Sequence, residues 1–177
     1  WQELDEGHMK TNGHPGIHVF PAALAHAQEH GHSGHELVLA FILGYEVCGR
    51  IGGAYKMRVA VQTHGTFGLI GAAVAVGRLC GLTPVEMREA INIAASTPLG
   101  GNRQTMLDGA TIRNYYPGHA NFTAQMVVRM VHHDAACIMM STAGPFGGCT
   151  PCQQQRRDEA ATRPVSRAPS GSARRGG

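Results

Sequence analysis

Between Thr66 and Cys80 the chain sets Gly68, Gly71, Ala72, Ala75 and Gly77 among Val, Leu and Ile, with no charge before Arg78. Residues three and four apart share one face of a helix, and small ones there let a neighbouring backbone come close. The whole chain leans the same way. It holds 24 Gly and only 6% aromatic residues, which implies closely approaching helices rather than an aromatic-rich sheet.

The flanking punctuation fits that reading. Gly81 ends the segment, and Thr83-Pro84-Val85-Glu86 is a capping box with Pro at the first helical position. Met87, Ala90, Ile91 and Ala94 then follow at helical spacing. Upstream, Ser33-Gly34-His35-Glu36 is a second capping box. The residues after it, Leu37 to about Ile51, are apolar nearly all round, which predicts a central, buried helix. Residues 18–31 predict a helix with Pro21 in its first turn, an apolar face of Phe20, Ala23, Leu24 and Ala27, and a stop at Gly31. Residues 52–64 read as a connection, 98–104 as a Gly/Asn/Arg loop, 105–116 as a short polar segment, and about 118–132 as an amphipathic helix. No stretch sustains a period of two, so the expected fold class is all-α.

From 133 onward the character changes, and the expected organisation is a partial helical domain over 1–132 and a low-complexity, disordered tail over 133–177. A natural basic tail and a reading-frame error both account for it; the Ala/Arg/Pro/Gly/Ser bias of GC-rich DNA out of frame favours the second. The tail also explains the net charge of +3. Six Arg against Asp158 and Glu159 lie in 153–177, while the other 152 residues carry nine Lys and Arg against ten Asp and Glu. The helical part therefore has no basic stripe, and a nucleic-acid partner is not expected.

Cys48, Cys80, Cys137, Cys149 and Cys152 form no disulfide framework. The chain opens on Trp-Gln-Glu-Leu without a signal-peptide pattern, and Trp1 suggests that the true N-terminus lies further upstream. The longest apolar run, Leu37–Gly44, is too short to span a bilayer. A cytoplasmic protein with no membrane partner is expected.

Chemistry concentrates near the start. An acidic cluster of Glu3, Asp5 and Glu6 precedes His8 and the stretch Gly13-His14-Pro15-Gly16-Ile17-His18-Val19-Phe20-Pro21, and His64 stands alone in Thr63-His64-Gly65-Thr66. Acids and histidines on loops that feed buried helices suit a proton-transfer site.

Several of these segments resemble the MmgE/PrpD family of 2-methylcitrate dehydratases and cis-aconitate decarboxylases. They are Glu3-Leu4-Asp5-Glu6-Gly7, His14-Pro15-Gly16, Pro21-Ala22-Ala23-Leu24-Ala25, Gly44-Tyr45-Glu46-Val47, His64-Gly65-Thr66-Phe67-Gly68, Gly71-Ala72-Ala73, and Gly81-Leu82-Thr83-Pro84 leading to Ala90-Ile91-Asn92-Ile93-Ala94. No one of them is diagnostic; their order and spacing from residue 3 to about 131 is. The resemblance implies metal-free, cofactor-free acid/base chemistry on a small polycarboxylate: dehydration, decarboxylation or epimerisation. It also implies a large helical domain paired with a smaller α/β lid, usually in a homodimer. This chain looks like an internal piece of the helical domain, without the family's opening helices or the lid.

By the same resemblance, Glu3 or Asp5 supplies an active-site carboxylate, although a common Asp-Phe-Asp-Asp-Thr pattern has become Glu-Leu-Asp-Glu-Gly. Gly7 then removes a hydroxyl contact. His14 and His64 fall on substrate-site histidines, and imidazole titrates close enough to neutrality to take or return a proton. Arg113 falls where relatives often carry a Lys that holds a substrate carboxylate, a task its planar fork suits. Lys10 and Arg103 are supplementary cations, for which a surface role fits as well, while Asp108 and Gly109 shape the turn that presents Arg113.

A metal site is not expected. His26 and His30 are spaced i, i+4, with His32 and His35 just after them and His132-His133 far along the chain, but no carboxylate–His or Cys–His pattern completes the set. Cys149-x-x-Cys152 lacks a second pair. The expected activity is that of a hydro-lyase of the 2-methylcitrate dehydratase type, with this piece inactive alone. The rival from another class is a binding-only or degenerate helical module.

Overall fold

The computed structural model describes residues 6–132, and the tail from 133 lies outside the described residues. The elements are α1 (Pro15–His30), α2 (Gly34–Ala54), α3 (Phe67–Leu79), α4 (Pro84–Ser96), the short α5 (Arg103–Leu107), a 3-10 turn (Thr111–Asn114) and α6 (Tyr115–His132). No strand occurs among the described residues, only two isolated bridges. The expected all-α class holds.

The Gly/Ala-rich segment is the hub. Twelve of the thirteen residues of α3 are buried, and α1, α2, α4 and α6 all pack against it. The sequence expectation gave the central position to α2, and the structure corrects it. Only Ala40, Gly44, Cys48 and Gly52 of α2 are buried, one every four residues, while Val38, Leu39, Ile42 and Leu43 face outward. Close packing on α3 needs a stripe of small side chains, and that need overrides the pull to bury the larger ones. The expected run length also falls short. Because α2 continues past Glu46, its 21 residues contain an 18-residue stretch of mean hydropathy 1.5, long and apolar enough by length and composition to cross a bilayer. A packed core helix passes the same test.

Where α2 and α3 cross, each backbone faces the other. A Cβ added to Gly44 would lie 2.5 Å from the Gly71 carbonyl oxygen, and one added to Gly71 would lie 2.6 Å from the Gly44 carbonyl oxygen. Neither carbonyl can swing away without breaking its helix. Gly44→Ala or Gly71→Ala is therefore expected to destabilise the domain by roughly 1–3 kcal/mol, the usual cost of overpacking. Denaturant unfolding of the whole chain measures this, and an unchanged midpoint would mean that the helices can separate freely.

The first helix starts three residues earlier than expected, with Pro15 rather than Pro21 in its opening turn. Pro21 thus sits inside α1 and cannot donate to the Ile17 carbonyl. Asn121 of α6 makes up the loss, its Nδ2 donating to Ile17 O at 3.2 Å. Both capping boxes form as read: Ser33 and Glu36 hold the start of α2, and Thr83 and Glu86 that of α4.

Candidate active site

The N-terminal ends of α1 and α3 meet, and this brings the two loop histidines together. His14 is the N-cap of α1, and its Nδ1–H donates to the Glu6 carbonyl at 2.6 Å. His64, only 1% exposed, lies just before α3. The two rings stand edge to face with centroids 4.8 Å apart, although fifty residues of chain separate them.

His18 fixes this arrangement. One turn after His14, its Nδ1–H donates to the His14 carbonyl at 2.8 Å, and its Nε2 accepts the Gly65 N–H at 2.9 Å. Accepting at Nε2 requires a neutral ring. The ring lies 5.6 Å from that of His64 and is seated against Gly68, where any Cβ would collide with it. Gly65 takes a φ of 81°, a left-handed conformation that a side chain would strain. The residues after His64 thus serve its placement as well as helix packing.

A cleft of about 660 Å³ opens beside the histidine pair, lined by His14, His64 and five cations: Lys10, Lys56, Arg58, Arg103 and Arg113. No Asp or Glu of the described residues lines it. The cations arrive from separate elements. Lys56 and Arg58 lie on the 55–66 loop, which is stitched to the next loop by Gln62 N–H to Gly101 O at 2.8 Å and Arg103 N–H to Ala60 O at 2.9 Å. That stitch carries Arg103 to the cleft. Arg113, half-buried, sits in the 3-10 turn after Gly109, whose φ of 80° makes the reversal. Asp108 is the C-cap of α5 and accepts from Gln104 Nε2, so it faces the turn rather than the cleft.

His14, His64, Arg113, Lys10 and Arg103 therefore converge, as a shared site requires. Glu3 and Asp5 lie outside the described residues. Glu6 has a bracing part: one carboxylate oxygen accepts the Gly16 N–H at 2.9 Å at the start of α1, the other the Tyr45 hydroxyl at 2.8 Å. An anion suits the positive end of a helix. Burial, with Glu6 beside it, pushes the Tyr45 hydroxyl up to about 12.

The sequence model of the MmgE/PrpD N-terminal domain matches residues 1–159. The chain belongs to the MmgE/PrpD family. This MmgE/PrpD domain is 34% identical over 107 residues to cis-aconitate decarboxylase of Aspergillus terreus, covering 55% of this chain and 22% of that protein. It is 31% identical over 122 residues to the cis-aconitate decarboxylase-like protein oryM of Aspergillus oryzae, covering 63% of this chain and 25% of that protein. It thus spans about a quarter of the curated relatives it matches.

Sequence reasoning missed His18, Lys56 and Arg58. The spacing of His18 from His14, one helical turn, was a usable signal for the first. The 52–64 connection is visibly rich in basic residues, but nothing local ties Lys56 and Arg58 to Arg113, because that proximity depends on the stitch between loops.

Proposed function

We propose that the full-length protein is a lyase acting on a small polycarboxylate, and that this domain supplies its cationic cleft and histidine pair. One observation carries the reading: five cations and two packed histidines around one cleft with no lining carboxylate among the described residues. Several carboxylates enter a partly desolvated pocket only against matching positive charge. The names of the relatives, cis-aconitate decarboxylases, point to the same substrate class.

The chemistry follows from proton transfer. In a dehydration, a base removes the proton beside one carboxylate while an acid protonates the departing hydroxyl. In a decarboxylation, an acid delivers a proton to the carbon that loses CO₂. His14 and His64 suit either duty, with a carboxylate from Glu3 or Asp5 as a partner, and Arg113 with Lys10 holds the substrate's other carboxylates. The 2-methylcitrate dehydratase activity and the cis-aconitate decarboxylase activity are the two forms of this proposal, with a homodimer in the cytoplasm as its setting. The lid expected from the family would exclude water, so this chain alone should bind but not turn over substrate.

Titration of the whole chain with cis-aconitate, tricarballylate and acetate, followed calorimetrically, tests the cleft. Tricarboxylates should bind, and binding should weaken as salt rises, because exposed charges are screened. Acetate should not compete. Full-length protein should then turn over 2-methylcitrate or cis-aconitate and retain that activity in EDTA. Equal affinity for acetate and tricarboxylates would leave the binding-only helical module as the better account, and activity lost in EDTA and restored by a metal would overturn the metal-free mechanism.

A further inference from the structure

At the far end of α1, about 18 Å from His14 at the rise of an α-helix, a second set of donors gathers that the cleft does not use. His26 Nε2 lies 3.3 Å from Sγ of Cys80, which follows α3. The His30 ring stacks on that of His26 with centroids 4.0 Å apart, and His32 stands 5.9 Å from His26. The sequence offered His26 and His30 but gave no reason to bring Cys80 to them.

The hydrogen bonds around these rings fix which nitrogen faces the thiol. Gln125 Nε2 donates to the Ala22 carbonyl at 2.9 Å, so its Oε1 faces His26 Nδ1 at 3.2 Å and accepts that ring's proton. His26 Nε2 then presents a lone pair to Cys80. The His30 Nδ1–H donates to the His26 carbonyl at 3.0 Å, so its lone pair is also on Nε2. For His26, an oxygen acceptor behind the Nδ1–H, with Nε2 left as the donor atom, is the usual support of a metal-binding histidine.

We propose that Cys80, His26 and His30 form a binding site for a zinc-like divalent cation, with His32 or water as the fourth donor. Zinc distances of about 2.3 Å to sulfur and 2.0 Å to nitrogen place two tetrahedral donors about 3.5 Å apart, close to the 3.3 Å found between Sγ and Nε2. Among the described residues no three such donors already close round one point. Closure requires the exposed His30 ring to leave the His26 carbonyl and turn a nitrogen towards His26 and Cys80. The Cys80 S–H bond breaks on binding: the thiolate sulfur bonds the cation, the proton leaves to solvent, and each histidine gives a lone pair.

The test is titration of the whole, reduced chain with Co²⁺, followed by displacement with Zn²⁺. A thiolate-to-cobalt charge-transfer band and tetrahedral visible bands are expected. Cys80→Ser should abolish the charge-transfer band, whereas serine at Cys137, Cys149 and Cys152 together should leave it. His30→Ala, at an exposed position that the fold does not need, should weaken Zn²⁺ binding at least about tenfold, since even supporting residues are worth about 10–100-fold. It should leave the helical circular dichroism unchanged. Absence of the band in the parent chain, its survival in Cys80→Ser, or full Zn²⁺ affinity in His30→Ala would overturn the site. None of these outcomes depends on the cleft or its substrate.

Discussion

In the full-length protein, His64→Ala is expected to lower kcat by about 10²–10⁴-fold, the usual worth of a positioned general acid or base. At 1.36 kcal/mol per decade this is roughly 3–5 kcal/mol of transition-state stabilisation. The expectation rests on placement. His64 is almost wholly buried, yet it lines the cleft and is held between the rings of His14 and His18. A buried imidazole removed to Ala also leaves a hole, so His64→Asn, which keeps polar bulk, is the matching control. Both variants should keep the helical circular dichroism and lose turnover, measured at saturating substrate. An unchanged kcat in folded His64→Ala would remove His64 from the mechanism and leave it as packing beside His14.

The elements most legible in the sequence were those set by local rules. Thr83-Pro84-x-Glu86 and Ser33-x-x-Glu36 start helices because the caps satisfy backbone groups within four residues. The small-residue pattern of α3 marked it as closely packed, but could not say that it, rather than α2, is the hub. That depends on how many neighbours each helix meets, and an all-apolar helix that packs through one glycine stripe looks central in one dimension. Pro21 misled for a related reason. Its place inside α1 is tolerable because Asn121, a hundred residues away, serves the carbonyl it abandons.

The site divides in the same way. His14, His64 and Arg113 were readable because the family resemblance fixed their positions, and the fold brings them to one cleft. The supporting groups were not. Glu6 looked like one acid of a cluster, yet its two oxygens join α1 to Tyr45 of α2. Cys80 looked like a small apolar residue at the end of α3, and only the packing of α1 on α3 sets it beside His26.

Arg113→Ala is expected to lower kcat/KM of the full-length protein by about 30–150-fold, mostly through KM. Removing one partner of a desolvated, hydrogen-bonded charge pair costs about 2–5 kcal/mol, and a half-buried guanidinium belongs near the lower end, at about 2–3 kcal/mol. Two features separate it from the other four cations. It is the least exposed of the five, and it sits on a short 3-10 turn held between α5 and α6, where its planar fork can meet both oxygens of a carboxylate. Lys56, exposed at the start of the 55–66 loop, is the contrast. Its exposed charge is screened by solvent and salt, so Lys56→Ala should change kcat/KM only about threefold or less at physiological salt, in line with an exposed pair. Arg113→Lys keeps the charge but loses the fork, and should recover only part of the loss. Steady-state kinetics of the three variants at two salt concentrations decide between a built carboxylate clamp and a diffuse positive field. If Arg113→Ala and Lys56→Ala fall together, and both effects vanish at high salt, the cleft attracts its substrate by total charge and Arg113 has no special hold on it.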